Sequence, residues 1–190
     1  MNMRWLLFLV MATMSFAFAG PNLLENPGFD APQGFQHGWT WSPMWDQIFK
    51  VYYDKEKRAV AIASSSNEYS GYLNQVIPVT PGKEYVLRAE LLLPLGRALL
   101  WIVALNDQKK DIGKSWTRRS YSLADNPLFP HFVKPEYAPN GRIVNDWETQ
   151  ELRVTIPAGV PYVRVNVGSY FGQGIVYFRR VEFFTTTKDK

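Results

Sequence analysis

The sequence contains no cysteine, which excludes disulfide bonds and also excludes a lipid anchor attached through an N-terminal cysteine. Histidine is nearly absent too, because His37 and His131 are the only two and lack the spacing of a metal site. No phosphate-binding loop or nucleophile motif is present. These absences leave little basis for catalysis or for a bound cofactor, so a hydrophobic core must stabilise the fold.

Long apolar runs are confined to the first residues, which are predicted to be a secretory signal peptide. Arg4 supplies a positive start, residues 5–14 form a short apolar stretch, and Ala17 and Ala19 are the small residues before a cleavage site. Cleavage is expected between Ala19 and Gly20, and the apolar stretch is short for a membrane span. We therefore expect a secreted or periplasmic protein with one domain, residues 20–190. The lack of cysteine fits a bacterial periplasm or medium.

Helical periodicity is missing after the leader, and short alternating runs bounded by Pro, Gly, Asn and Asp replace it. Apolar side chains alternate along residues 85–93, and residues 99–105 form a continuous apolar run, as in a strand covered on both sides. In residues 162–169, the three valines are expected to point inward and to leave Arg164 and Asn166 on the opposite face. The pattern predicts an all-β sandwich.

Residues 106–145 interrupt this spacing and predict a long irregular insertion. The segment contains four prolines together with several aromatic residues, which disordered segments usually lack. It also contains an excess of four positive charges between Lys109 and Arg142, equal to the formal net charge of the whole chain. A local basic patch of this kind indicates an anionic partner more strongly than net charge does.

Four sequence motifs match one family of domains. Residues 22–30 read NLLENPGFD, residues 71–85 read GYLNQVIPVTPGKEY, residues 174–184 read GIVYFRRVEFF, and Trp147 precedes VTIPAGVPYVRV at residues 154–165. Together they resemble the carbohydrate-binding modules, whose jelly-roll β-sandwiches are related to galactose-binding domains. The resemblance implies a jelly roll of two antiparallel sheets. It also implies that a concave sheet face forms the glycan cleft.

The closing motif departs from this family at one point. Many of the resembling modules hold a structural calcium between the acidic end of the opening motif and two aspartates of the closing strand. Asp30 retains the first acid, but Arg179 and Arg180 stand where the aspartates are expected. An arginine offers no oxygen ligand, so we expect no calcium. The corresponding hypothesis is that Arg179 or Arg180 pairs with Glu25 or Asp30 instead.

Aromatic residues make up 15% of the chain, including seven tryptophans. Such rings can pack against the apolar face of a sugar while nearby polar groups bind its hydroxyls. Trp39 and Trp147 are predicted to pack within the fold, and Trp101, inside an apolar strand, is also placed in the core. Trp116, between Lys114 and Arg118, is the tryptophan predicted to lie at a surface. For Trp41 and Trp45 burial and exposure remain open.

Polar residues opposite a core face are the second group of candidates, because Arg88, Glu90, Arg164 and Asn166 could line one side together. The basic and aromatic stretch KSWTRRSY, residues 114–121, is the third group and suits a carboxylated or sulfated polysaccharide. The predicted ligand-binding residues are Trp41, Trp45, Arg88, Glu90, Trp101, Trp116, Arg118, Tyr121, Arg164 and Asn166. An ordinary solvated surface remains the alternative for the polar strand residues and for residues 114–121, and packing in the core remains the alternative for Trp101.

The sequence therefore predicts a secreted, non-catalytic carbohydrate-binding protein that favours an acidic polysaccharide. One alternative is a structural or protein-interaction module of the cell envelope, which would use an aromatic patch equally well. A polysaccharide lyase or glycosidase on a jelly-roll scaffold is a third interpretation. Nucleic acid is excluded as a partner by the predicted export and by the absence of a nucleic-acid-binding motif.

Overall fold

Alternating apolar and polar residues form ten β-strands in residues 20–121 and 146–186, the part of the chain that the computed structural model describes. The strands are β1 (Thr40–Pro43), β2 (Phe49–Asp54), β3 (Ala59–Ser64), β4 (Ser70–Pro78), β5 (Glu84–Leu95), β6 (Arg97–Leu105), β7 (Asp111–Tyr121), β8 (Glu148–Thr155), β9 (Tyr162–Tyr170) and β10 (Gly174–Thr185). One turn of 3-10 helix spans Asp46–Ile48. Within these ranges, no helix has the length and apolar character needed to cross a membrane.

The strands form two five-stranded antiparallel sheets that lie face to face. The first sheet has the order β1-β4-β9-β6-β7, and the second has the order β2-β3-β10-β5-β8. Neighbours in each sheet are mostly distant in sequence, so the chain crosses repeatedly from one sheet to the other. This arrangement confirms the predicted all-β jelly-roll sandwich.

The core lies between the inner faces of the two sheets. Alternate residues of β5, from Tyr85 to Leu93, are buried against alternate residues of β6 such as Leu100 and Ile102. Because β6 lies inside the first sheet, its other alternate residues are also largely covered. The valines of β9 point inward as predicted, which leaves Arg164 and Asn166 on the outer face.

The two ends of the described chain meet along β10. The opening segment forms no strand, but the amide of Leu23 donates to the carbonyl of Phe183 at 2.8 Å. The side chain of Asn22 donates to the carbonyl of Val181 at 3.1 Å and accepts from the amide of Phe183 at 2.9 Å. The amide of Val181 also donates to the carbonyl of Pro27 at 2.9 Å. The first and last motifs are therefore joined by hydrogen bonds.

The insertion differs from the prediction in its first part. Asp111–Tyr121 is a regular strand, β7, which pairs with β6 at the edge of the first sheet. Edge strands tolerate polar side chains on both faces, so the alternation that marks a half-buried strand is weak here. The prediction of an irregular segment over residues 106–145 is therefore wrong for residues 111–121. Residues 122–145 and the predicted leader lie outside the described residues.

Candidate functional site

The outer face of the first sheet combines aromatic rings, amides and cations. Strand register places Asn74, Asn166, Trp101 and Thr117 in one row across β4, β9, β6 and β7. The neighbouring row contains Tyr72, Gly168, Leu99 and Arg119 in the same strands. We call this surface the aromatic face, defined by Tyr72, Asn74, Trp101, Arg119, Arg164, Asn166 and Tyr170.

Two rings occupy the centre of the aromatic face. Tyr72 and Trp101 pack edge to face, with ring centroids 5.4 Å apart and planes at 64°. Gly168 makes room for this arrangement, since a Cβ atom there would lie 2.5 Å from Cδ1 of Tyr72. Burial raises the pKa of Tyr72 to about 12, although a hydrogen bond with the Ser70 side chain acts in the opposite direction. The indole Nε1 of Trp101 is buried and lacks a hydrogen-bond partner within the described residues.

Two asparagines lie beside these rings and are held by hydrogen bonds. Nδ2 of Asn166 donates to the carbonyls of Trp101 and Arg164 at 3.1 and 3.0 Å. Nδ2 of Asn74 donates to the carbonyl of Thr40 and to Oγ of Ser42, both at 2.9 Å. These bonds fix each amide and so reduce the side-chain entropy that binding would cost. Both side chains are largely buried, with exposed fractions of 7% for Asn74 and 2% for Asn166.

Cations stand at both ends of the aromatic face. The guanidinium of Arg119 lies over the ring of Tyr170, at 4.8 Å from its centroid. At the opposite end, Nη2 of Arg164 lies 4.0 Å from Oδ2 of Asp111. A ring flanked by a cation can pack on a sugar, and the cation can attract an anionic substituent.

The outer face of the second sheet is different, because its charges neutralise one another. Arg88 binds Glu151 at 2.7 Å and Glu182 at 3.4 Å. Glu90 accepts hydrogen bonds from Arg179 and from Arg180. Arg88 and Glu90 were predicted to share one side with Arg164 and Asn166. That prediction was wrong, because the two strands belong to different sheets and their outer faces are on opposite sides of the sandwich.

The electrostatics of Glu90 follow from these contacts. Partial burial raises the pKa of its carboxyl, but the hydrogen bonds and charges of Arg179 and Arg180 outweigh this effect, so the pKa is lowered. The guanidinium of Arg179 also stacks on Trp147 at 3.9 Å from the ring centroid. The hypothesis that Arg179 or Arg180 pairs with Glu25 or Asp30 is therefore corrected, because both arginines contact Glu90. In the described ranges, no three His, Asp or Glu side chains form a group that could hold a metal ion.

Trp101 and Trp116 exchange the places predicted for them. Trp116 pairs in register with Ile102 and packs against the core, whereas Trp101 points outward on the aromatic face. Trp39 is buried and Trp147 packs against Ala59, Ala61 and Tyr177, so both packing predictions are confirmed.

The remaining predicted residues lie apart from the centre of the aromatic face. Trp41 packs inward beside Phe49, while Trp45 is 47% exposed in the loop after β1. Nε of Arg118 donates to Gln150 at 3.0 Å and so links β7 to β8 of the other sheet. Tyr121 ends β7, and its side chain lies outside the described part of the chain. Of the ten predicted residues, the aromatic face includes Trp101, Arg164 and Asn166.

Four residues of the aromatic face were missed from the sequence, namely Tyr72, Asn74, Arg119 and Tyr170. Tyr72 and Asn74 flank the buried Leu73, so the alternation within β4 contained the signal. Tyr170 continues the outward series that Arg164 and Asn166 begin. Arg119 alternates with Arg118, and only pairing with Leu99 shows which of the two faces outward.

The fold is that of a jelly-roll β-sandwich domain. No family model and no curated protein matches the sequence. Among solved structures, the chain is similar to the enzymatically active domain of bacteriophage CBA120 tailspike protein 4, with 14% identity and a TM-score of 0.62. That similarity covers 86% of this chain and 21% of the tailspike chain, so the chain spans about a fifth of that protein.

Two carbohydrate-binding modules match over nearly their whole lengths. A family 4 module is 16% identical with a TM-score of 0.55, and covers 86% of this chain and 99% of its own. The module TmCBM61, solved with β-1,4-galactotriose, is 16% identical with a TM-score of 0.52 over 87% of this chain and 99% of its own. The resemblance seen in the motifs is thus confirmed as a likeness of fold to the carbohydrate-binding modules.

Proposed function

We propose that this protein binds a glycan on the aromatic face and does not cleave it. The observation that carries the proposal is the central row, where the Trp101 ring lies beside the fixed amides of Asn166 and Asn74. The apolar face of a sugar ring packs on an aromatic side chain, while amides bind its hydroxyl groups. The module solved with a galactotriose has the same fold and supports this class of ligand.

The choice of face rests on which polar groups are already used. On the second sheet, Arg88 and Glu90 form ion pairs with other side chains, and the guanidinium of Arg179 stacks on the ring of Trp147. On the first sheet, the asparagine oxygens and the ring of Tyr72 are not consumed by such a network. A ligand would therefore replace fewer internal contacts on the aromatic face than on the opposite face.

Binding without cleavage is supported by the scarcity of acids near the aromatic face. Glycosidases use two carboxylates that flank the scissile bond. Among the described residues of β4, β6, β7 and β9, Asp111 is the one carboxylate, and its Oδ1 already accepts a bond from the amide of Gly113 at 2.7 Å. We also propose that the glycan is acidic. We further propose that the protein acts outside the cytoplasm after residues 1–19 are removed.

A glycan array with the mature chain, residues 20–190, tests the proposed function. We expect binding to at least one polysaccharide, and at least about tenfold weaker binding for Trp101→Ala, a change of about 1.4 kcal/mol. Arg88→Ala, on the opposite sheet, is the matched control and should bind like the wild type. A flat array would overturn the proposal, and stable co-purification with an envelope protein would then favour the protein-interaction alternative. New reducing or unsaturated ends would reveal an enzyme instead.

A further inference from the structure

One end of the aromatic face contains a small group of cationic and aromatic side chains. We call it the basic end and define it by Lys109, Asp111, Tyr162 and Arg164. Strand register places Tyr162 beside Leu105 and Asp111, one row away from Arg164. Nζ of Lys109 lies 5.5 Å from the centroid of the Tyr162 ring. The basic end thus continues the aromatic face toward the turn between β6 and β7.

Asp111 is held in place by its own strand, and it faces Arg164 only loosely. Its Oδ1 accepts a hydrogen bond from the amide of Gly113 at 2.7 Å, whereas its Oδ2 stays 4.0 Å from Nη2 of Arg164. A separation of 4.0 Å is an ion pair without a short hydrogen bond. Because the Asp111 side chain is 47% exposed and that of Arg164 34% exposed, the pair is weakly held in water.

Arg164 therefore has donors to spare. A guanidinium carries five N–H groups and binds a carboxylate or sulfate through two parallel hydrogen bonds. Asp111 marks the side from which such an anion would approach, and it lies too far away to satisfy the guanidinium itself. The ammonium of Lys109 adds a second positive charge beside the ring of Tyr162.

Arg164 lies between the other residues of the basic end and the proposed glycan site at Trp101. Arg164 and Asn166 are separated by one inward residue, so their side chains stand on the same face about 7 Å apart along β9. A sugar ring packed on Trp101, beside Asn166, would have its neighbour in the chain close to Arg164. An anionic substituent on that neighbour would reach the guanidinium directly.

We propose that Arg164 selects an anionic glycan by binding a carboxylate or sulfate of the sugar next to the one on Trp101, and that Asp111 competes with this group. The proposal rests on the proposed function, because it assumes that the glycan occupies the aromatic face. It differs from the expectation based on residues 114–121, since Trp116 and Arg118 are engaged in packing and in the bond to Gln150.

The test uses two polymers that differ only in charge, namely polygalacturonate and its fully methyl-esterified form. The wild type is expected to bind the charged polymer more tightly. Arg164→Gln should lose about tenfold more affinity for polygalacturonate than for the ester, whereas Arg164→Lys should retain part of the preference. Asp111→Asn should bind polygalacturonate up to about fivefold more tightly, because the carboxylate that competes with the polymer for Arg164 is removed. Arg153→Gln, an ion-paired arginine on the opposite sheet, is the matched control.

The outcomes separate this inference from the proposed function. If Trp101→Ala and Arg164→Gln both leave binding unchanged, the aromatic face is not the site and both proposals fail. If Trp101→Ala abolishes binding but charged and esterified polymers bind equally, only the selection by Arg164 fails. Comparison of dextran sulfate with dextran tests the binding of sulfate. Arg164→Gln should again have a lower affinity for dextran sulfate than Arg153→Gln. An equal loss of affinity in Arg164→Gln and Arg153→Gln would show general charge attraction and would overturn the inference. Melting curves of every variant exclude unfolding as the cause of a loss.

Discussion

At the scale of single residues, Gly168 is the position that permits the central ring pair. A Cβ atom there would lie 2.2 Å from the carbonyl oxygen of Gly71 and 2.5 Å from Cδ1 of Tyr72. The first of these contacts is with backbone, so it cannot be relieved by turning a side chain. We expect Gly168→Ala to destabilise the protein by at least about 2 kcal/mol and to weaken glycan binding, as measured by urea unfolding and by the array.

Gly159→Ala provides the comparison for that substitution. Gly159 has a φ angle of +78°, and an added Cβ would meet nothing within 4 Å. Gly159→Ala should therefore lower the free energy of unfolding by about 1 kcal/mol, because alanine is strained in the left-handed backbone conformation. Glycan binding should be unchanged. If Gly168→Ala proves no more destabilising than Gly159→Ala, strand β9 lies farther from β4 than the structure shows.

Alkaline titration tests the burial of Tyr72. Burial raises the pKa of Tyr72 to about 12, and burial together with the neighbouring Tyr52 raises that of Tyr177 to about 12. Because both values lie above the ordinary pKa of 10.0, these side chains stabilise the fold fully below pH 10 and lose that contribution as the pH approaches 12. Absorbance in the phenolate band should show late-titrating phenols, and Tyr72→Phe and Tyr177→Phe should each remove one of them. Complete titration near pH 10 in the folded protein would contradict the prediction.

The tryptophans show which side-chain orientations could not be predicted from the sequence. Trp101 belongs to an apolar run, so each face of β6 is apolar and composition alone does not identify the inner one. Trp116 stands among charged residues because β7 is an edge strand, yet its register with Ile102 turns it inward. The valines of β9 were placed correctly because polar residues alternate with them. The inner face of a strand is predictable only when its two faces differ in polarity.

At the scale of elements, β10 is distorted where its two arginines meet Glu90. The register with β5 shifts between Arg179 and Glu182, and Arg180 has a φ angle of +48°. The lowered pKa of Glu90 means that its contribution to stability is present above about pH 4.5 and is lost as the pH falls. We expect Glu90→Gln to lower the melting temperature by about 2–4 °C at pH 7, the change that roughly 1 kcal/mol produces.

The pH dependence distinguishes the charge of Glu90 from its packing. At a pH where Glu90 is protonated in the wild type, Glu90→Gln should melt at the same temperature as the wild type. Melting curves by circular dichroism at neutral and acid pH measure this difference. A difference that persists unchanged at acid pH would show that shape rather than charge is responsible.

The same cluster leads us to propose that the fold needs no calcium. Arg179 and Arg180 occupy the closing-strand position where the resembling modules have acids, and both contact Glu90. Guanidinium groups would repel a divalent cation and offer it no oxygen ligand. We expect identical melting temperatures with calcium in excess and with EDTA. A calcium-dependent rise of several degrees would refute the proposal.

Among the elements, strands with alternating polarity could be predicted closely, since the alternating runs at residues 85–93 and 162–169 fall within β5 and β9. Strand β7 was missed as a regular element because polar side chains occur on both of its faces. The division of strands between two sheets was not predictable from the alternation, which explains the wrong grouping of Arg88 and Glu90 with Arg164 and Asn166. Pairing between distant strands depends on long-range contacts that leave no local pattern.

At the scale of the whole molecule, the two outer faces use charge in opposite ways. The second sheet pairs Arg88, Glu90 and their neighbours with one another, whereas the first sheet combines rings and hydrogen-bonded amides with the Arg164–Asp111 pair, whose charged atoms are 4.0 Å apart. The carbohydrate-binding-module fold could be predicted from four motifs, since each forms or joins a strand. The composition of the two outer faces could not, because it depends on how the strands divide between the two sheets.

The predicted mature N-terminus, Gly20, lies beside the end of β10. Gly20, the residue after the predicted cleavage site, donates its amide to the carbonyl of Thr185 at 3.0 Å, and an N-terminal ammonium at this position would still be a donor. We therefore propose that export removes residues 1–19 and leaves the bonds between the opening segment and β10 intact. Mass spectrometry of the exported protein should give a chain that begins at Gly20 and melts cooperatively. Asn22→Ala should destabilise this chain by about 1–2 kcal/mol because both of its bonds to β10 are lost. A chain that begins beyond Asn22 and is equally stable would contradict the role given to this segment.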